Sequence, residues 1–160
     1  MLLSITLQFI FYNSNIPMIL CVTPNPGVEH TVTVPNFRQG DVNRTTSVIA
    51  YTGGKGFNAC RSIQMLGGDY RSLSIAGGRS GEMIKEMTCR EGLSADWTEI
   101  NSDVRFVMIV VDPAQGDATV INEEGPTLSH EEWRRFTEDA IRLGKGASAV
   151  CLCGSLPGAT

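Results

Sequence analysis

The sequence predicts an α/β fold in which a parallel sheet carries flanking helices and a small separate β layer forms a lid. Short apolar segments such as MILCV (18–22) and SAVCLC (148–153) have the composition of strands that are buried on both faces. Amphipathic segments with helical periodicity lie between such strands, which is typical of βαβ units. Two regions, near residues 30–51 and 104–122, alternate instead, and we assign them to the lid.

The first predicted strand is MILCV, and the next two, HTVTV (30–34) and TTSVIAY (45–51), have the alternation of half-exposed strands. From Lys55 the apolar period changes to that of a helix, which we expect to end at Gly67.

A further strand, YRSLSIA (70–76), precedes a second helix that Ser80 is expected to cap and that Gly92 ends. VRFVMIVVD (104–112) and ATVIN (118–122) flank PAQGD, a connection typical of a hairpin.

Ser129 and Glu132 have the spacing of a capping box, so a third helix is expected with Phe136 and Ile141 on its apolar side. The apolar segment SAVCLC follows, and a strand of this kind belongs inside a sheet. We therefore expect the sequence to be the front part of a larger domain, with an open sheet edge beside this strand.

Composition and charge restrict the partners. The 160 residues suffice for one domain, and a net charge of −4 without a Lys/Arg cluster argues against nucleic acid or an anionic membrane. Two histidines lack metal-ligand spacing, so no metal site is predicted. Five cysteines without framework spacing favour buried, reduced thiols and a cytoplasmic location. They are Cys21, Cys60, Cys89, Cys151 and Cys153.

Residues 1–17 are apolar but carry no Lys or Arg, and Pro17 interrupts them. We interpret them as a non-native leader ahead of a natural start at Met18, with residues 18–160 as the domain. A poor signal peptide is the alternative.

The stretch GGKGFN (53–58) is the first candidate site. It lacks the Ser or Thr that a Walker loop places after its lysine, and it departs from the dinucleotide-binding fingerprint. Glycines that lead into a helix expose backbone N–H groups to an anion, and Lys55 and Asn58 add a charge and an amide. Two interpretations of this stretch remain open. One is a ligand site built around Gly54, and the other is a glycine-rich turn with a solvated lysine.

Three other residues have comparable chemistry. Glu29 follows the first strand, at an edge of the sheet where α/β proteins bind ligands. Arg105 lies in an apolar segment, where burial of an unpaired guanidinium would cost free energy of folding. Ser155 follows the last strand in GSLP.

Six segments, TPNPGVEHT, GDVNR, GGKGFNA, VRF, INEEGP and GSLPG, together resemble the PfkB carbohydrate kinases, which have the ribokinase-like fold. The similarity is greatest to the branch that includes 1-phosphofructokinase and tagatose-6-phosphate kinase. The segments occur in family order and cover residues 18–160.

The resemblance implies that a sugar phosphate binds between the lid and the sheet. Gly54, Lys55 and Asn58 would hold sugar hydroxyls, Arg105 the substrate phosphate, and Ser155 would complete the pocket. The family usually has Asp where this chain has Glu29, which affects sugar preference. The lid often serves as a dimer clasp in the family, so the resemblance also implies a homodimer.

In the family the nucleotide site and the catalytic aspartate follow GSLPG, so the resemblance places them beyond Thr160 and leaves this chain no catalytic residue. ATP and Mg²⁺ are expected for the full-length parent and not for this chain alone. The predicted function is the sugar-phosphate-binding, N-terminal part of an ATP-dependent hexose-phosphate kinase. The alternatives are a non-catalytic binding module, a gene fragment without function and, within kinases, a ribokinase-like sugar or nucleoside kinase.

Overall fold

The computed structural model describes residues 8–11 and 18–159. Within these ranges eleven strands and three helices follow one another along the chain. They are β1 (Gln8–Phe11), β2 (Met18–Thr23), β3 (Gly27–Thr33), β4 (Ser47–Gly53), α1 (Lys55–Met65), β5 (Asp69–Gly77), α2 (Gly78–Arg90), β6 (Ala95–Ile100), β7 (Arg105–Asp112), β8 (Asp117–Asn122), β9 (Thr127–Leu128), α3 (His130–Gly144), β10 (Ala149–Leu152) and β11 (Gly158–Ala159).

The main sheet has the strand order β1-β10-β2-β5-β6. β10, β2, β5 and β6 run parallel, with Cys151 beside Cys21, and Cys21 beside Ser72. The carboxyl ends of β2 and β10 therefore meet at one edge of the sheet. This confirms the predicted parallel sheet with flanking helices.

Alternation along the strands produces two cores, one on each face of the sheet. Leu20 and Val22 lie on the face covered by α2 and α3, where they belong to the same cluster as Ile84 and Phe136. Cys21 points to the opposite face and packs under α1 in a second cluster, together with Phe57, Cys60, Leu93, Cys151 and Cys153. Complete burial of a side chain as large as Phe57 stabilises the fold by about 1.5–3 kcal/mol.

The lid is a separate four-stranded sheet with the order β4-β3-β7-β8. β3 pairs antiparallel with β4 and parallel with β7, and β7 forms a hairpin with β8. The two alternating regions of the sequence therefore meet in one layer, as predicted.

β6 was not expected from the sequence. Its residues ADWTEI include two carboxylates and no apolar run, because β6 is an edge strand whose outward positions face solvent. The short parallel pair of β9 and β11 was likewise unpredicted.

The capping box of α3 is confirmed, since Ser129 and Glu132 bond reciprocally. Two other expectations about helices were wrong. Ser80 does not cap α2, which begins at Gly78; the carboxylate of Asp103 instead accepts the Ser80 N–H at 2.9 Å. Ile141 is exposed, and Leu143 takes the buried position.

β1 pairs antiparallel with β10, so the expectation of an open edge beside that strand was wrong. The remainder of the interpreted leader, residues 1–7 and 12–17, lies outside the described residues. In the part of the chain that the structure describes, no helix is long and apolar enough to cross a membrane.

Candidate functional site

A cavity of about 290 Å³ lies between the lid and the carboxyl edge of the main sheet. All six residues singled out from the sequence line it, although they come from four separate segments of the chain. They are Glu29, Gly54, Lys55, Asn58, Arg105 and Ser155. The other lining residues are Asn25, Val107, Ile109, Val120, Asn122 and Gly154.

The glycines at the start of α1 have a packing reason that sequence reasoning missed. A Cβ on Gly56 would lie 2.0 Å from Thr23 Oγ1, and one on Gly54 would lie 2.7 Å from Thr23 Cγ2. Gly54 also has a φ of 131°, which side chains disfavour. These glycines let the helix begin directly against the end of β2, at the edge of the cavity.

The first turn of α1 brings positive potential to the cavity. The N–H groups of a helix's first turn have no partner within the helix, and the helix dipole adds to their field. α1 has no side-chain cap and no acidic residue in this turn. Lys55 is exposed, and its ammonium has no partner among the described residues. This end of the cavity is suited to an anion or to sugar hydroxyls.

Asn58 lies one turn further along α1. Its Oδ1 accepts a hydrogen bond of 2.7 Å from Arg61 Nη1. The amide oxygen is therefore occupied, and the Nδ2 group is left to donate.

Glu29 lies on the lid rather than directly at the end of β2, where the sequence placed it. It is the third residue of β3, level with Tyr51 on β4 and Val107 on β7. Glu29 and Val107 both line the cavity, so this row of the lid faces the site. The carboxylate thus belongs to the wall of the cavity that the lid provides.

Arg105 begins β7, where Gly27 leaves room for it; a Cβ on Gly27 would lie 3.2 Å from Arg105 Cγ. Its guanidinium donates to two backbone carbonyls, from Nη2 to Asn25 O and from Nη1 to Glu123 O, each at 3.2 Å. Its Nε is buried and has no acceptor among the described residues. Burial lowers the pKa of this guanidinium, and no described carboxylate pairs with it. The cation is fixed, partly desolvated and without a counter-charge.

Asn25 was missed as a site residue. It is only 3% exposed, and its Nδ2 donates to Ser155 Oγ at 3.1 Å and to Glu124 O at 3.2 Å. Gly125 fits closely against it, since a Cβ there would lie 2.4 Å from Asn25 Oδ1. The sequence does hold one feature that could have identified Asn25: it is a polar residue in TPNP, the segment directly after a buried strand.

A larger cavity, about 660 Å³, lies on the other side of Arg105. Arg79, Met83 and Phe106 line it, together with the segment from Glu123 to Pro126. Its walls are mostly apolar and bring fewer hydrogen-bonding groups together, so the smaller cavity is the better candidate for recognising a polar ligand.

Four cysteines are buried as predicted, but Cys89 is exposed. Burial raises the pKa of the Cys153 thiol, which keeps it protonated. Over the described ranges, no three His, Cys, Asp or Glu residues are placed to hold a metal ion.

Comparison with known proteins identifies the family. A family model described as pfkB family carbohydrate kinase matches residues 27–160. The chain belongs to the PfkB family of carbohydrate kinases. The matched region includes all six predicted site residues.

Two curated PfkB relatives illustrate the similarity. The chain is 38% identical over 140 residues to 1-phosphofructokinase from Bacillus subtilis, which covers 88% of the chain and 45% of that protein. It is 29% identical to tagatose-6-phosphate kinase from Staphylococcus epidermidis, a match that covers 88% of the chain and 44% of that protein. The chain thus spans less than half the length of these relatives.

Solved structures agree with this assignment. Phosphofructokinase-2 from Escherichia coli in complex with fructose-6-phosphate superposes with a TM-score of 0.80 at 25% identity. That match covers 89% of this chain and 46% of the other. The ribokinase-like fold predicted from the sequence is confirmed.

Proposed function

We propose that the cavity binds a hexose phosphate and that the chain supplies the sugar-phosphate-binding part of an ATP-dependent hexose-phosphate kinase. The observation that carries this proposal is Arg105. A partly buried guanidinium with an unused Nε and no counter-charge is suited to a phosphate, because charge-assisted bonds offset the desolvation of the cation.

The other side chains suit the sugar. Glu29 is an acceptor for hydroxyl hydrogens, and the Asn58 amide and the Lys55 ammonium are donors. Ser155 is held at the cavity rim by Asn25 and offers a hydroxyl. Each hydroxyl of a hexose both donates and accepts hydrogen bonds, so this mixture of donors and acceptors fits a sugar better than a purely anionic ligand.

The names of the relatives support the substrate class. The curated relatives are named for fructose 1-phosphate and tagatose 6-phosphate chemistry, and the Escherichia coli structure holds fructose-6-phosphate. The isomer used by this protein is one of the outcomes of the test below.

Phosphoryl transfer requires an activated acceptor hydroxyl, a nucleotide and Mg²⁺. We propose that ATP is the donor, as the family name implies. We assign neither the metal nor a catalytic role to a residue of this chain. On this proposal the donor half belongs to the part of the relatives' length that this chain does not span. We also propose that the protein acts in the cytoplasm.

We further propose that two copies associate through the lid. Apolar side chains remain exposed on the face of this sheet that is turned away from the cavity, with Val48 and Ile121 each 56% exposed and Met108 42% exposed. A second copy that covered them would remove this surface from water. Light scattering across a concentration series measures the association.

Calorimetric titration tests the proposed ligand. We expect fructose 1-phosphate, tagatose 6-phosphate or fructose 6-phosphate to bind to the chain, and inorganic phosphate to bind more weakly than the preferred sugar phosphate. Arg79→Met serves as a matched control, because Arg79 is exposed and lines only the neighbouring cavity. Absence of binding by every sugar phosphate to folded protein would refute the proposal.

A further inference from the structure

Arg61 joins three elements around the candidate site. It lies on α1, and its Nη1 donates to Asn58 Oδ1 at 2.7 Å. Its Nη2 donates to the backbone carbonyl of Thr52 at 2.7 Å, and its Nε donates to Glu91 Oε2 at 2.9 Å. One guanidinium thus connects a cavity residue, the lid and the end of α2.

Glu91 completes this connection. It directly follows α2, and its Oε1 accepts the Thr52 N–H at 2.6 Å. Thr52 lies on β4, an edge strand of the lid, three residues before α1 begins at Lys55 with Gly54 as its cap. The ion pair therefore holds both backbone polar groups of one residue at the base of the lid.

The pair is sheltered but does not touch the cavity. The side chains of Arg61 and Glu91 are 27% and 19% exposed. Neither residue lines the cavity, whereas Asn58 does. The contacts through which the pair can act on a ligand are therefore those with Asn58 and with the lid.

We propose that Arg61, held by Glu91, is a positioning residue for the sugar-phosphate site. By occupying Asn58 Oδ1 it fixes that amide with its Nδ2 free to donate to a sugar oxygen. By binding Thr52 O it fixes the strand that leads from the lid into the helix N-terminus. This inference rests on the proposed function, which it deepens.

Only an arginine provides this arrangement. The planar fork of the guanidinium reaches three acceptors in fixed directions, whereas a lysine ammonium is a point charge on a flexible stem. Arg61→Lys preserves the charge and removes the geometry. Glu91→Gln removes the ion pair and leaves Arg61 in place.

The test combines binding with two structural measurements on the full chain. Fructose 1-phosphate affinity is measured by calorimetry, the Thr52 amide by hydrogen exchange, and the Asn58 side-chain amide by its NMR shifts. We expect Arg61→Lys and Glu91→Gln each to weaken binding about tenfold, to speed Thr52 exchange by about tenfold or more, and to shift the Asn58 signal. Arg71→Lys is the matched control, because Arg71 forms a carboxylate pair with Asp96 on β6, away from the cavity.

Several results would overturn the proposal. Unchanged Thr52 exchange and Asn58 shifts in folded Arg61→Lys would show that Arg61 positions neither group. Weaker binding in Arg61→Lys but not in Glu91→Gln would make Arg61 a direct ligand contact, and equal losses in Arg71→Lys would indicate general destabilisation. If the wild type binds no sugar phosphate, the proposed function fails, and the two structural measurements still decide whether Arg61 holds Asn58 and the lid.

Discussion

Asn25 shows how one buried side chain shapes the rim of the cavity. Its amide N–H groups bind Ser155 Oγ and the carbonyl of Glu124, so it links the loop after β10 to the segment after β8. Arg105 donates to the backbone carbonyl of the same asparagine, so Asn25 also holds the guanidinium that we propose binds the phosphate.

Asn25→Ala is expected to lower the free energy of unfolding by about 1–3 kcal/mol, because the partners of a buried amide are left unsatisfied. Asn122→Ala is the control: Asn122 is exposed and lines the same cavity, and a change within about 0.5 kcal/mol is typical of such a surface site. Urea denaturation measures both. Equal losses in the two variants would contradict the role assigned to Asn25.

At the scale of single residues, the sequence identified charge and polarity well but not position. Arg105 and Lys55 stood out because a cation in an apolar or glycine-rich segment is unusual. Asn25 did not stand out, because an asparagine beside prolines is equally typical of a plain turn. The sequence placed Glu29 at the end of β2, because alternation does not fix the first residue of the next strand. In the structure β3 begins at Gly27, so Glu29 lies on the lid.

At the scale of elements, α1 depends on its close approach to β2. Gly56→Ala is expected to destabilise the chain by about 1–3 kcal/mol, because the new methyl group would overlap Thr23 Oγ1. Gly144→Ala, at the end of α3, places a methyl in ordinary contact 3.6 Å from Val150 Cγ2 and should be neutral or stabilising. Thermal unfolding of both variants measures this, and a Gly56→Ala variant as stable as Gly144→Ala would contradict the packing account.

The capping box of α3 predicts a pH dependence. N–H donors from Asn101 and Ser129 hold the pKa of the Glu132 carboxyl below its ordinary value. A lowered folded-state pKa contributes stability above the unfolded value of about 4.5, and this contribution is lost as pH falls through the folded-state pKa. Glu132→Gln should therefore lose about 1–3 kcal/mol near pH 7, and the difference from wild type should shrink below about pH 4.5. A constant difference from pH 7 to pH 3 would contradict this assignment.

The elements that the sequence predicted have a clear local signal, and those it missed depend on tertiary context. The Ser129 capping box and the apolar strand β2 are visible within a few residues. β6 becomes a strand because β5 offers a free edge beside it, and its own residues carry little preference. The start of α2 is fixed by Asp103, which lies more than twenty residues from Ser80 along the chain.

At the scale of the whole molecule, the lid and the main sheet are separate layers that meet at the cavity. The sequence indicated both layers, because fully apolar and alternating strands differ in pattern. It did not indicate how they are held together. Arg61, Glu91 and Thr52 come from α1, the end of α2 and β4, and no pattern within any one of these segments shows the connection.

The central claim is that Arg105 binds the phosphate of a hexose phosphate, and a thermodynamic cycle tests it most directly. Affinities for fructose 1-phosphate and for fructose are measured with the wild type and with Arg105→Met, which keeps the aliphatic stem and removes the charge. We predict that the wild type prefers the phosphorylated sugar and that the variant loses about 1.5–3 kcal/mol of this preference, roughly ten- to a hundredfold in affinity, with little change for fructose. An equal loss for both sugars, or an unchanged preference, would contradict the claim.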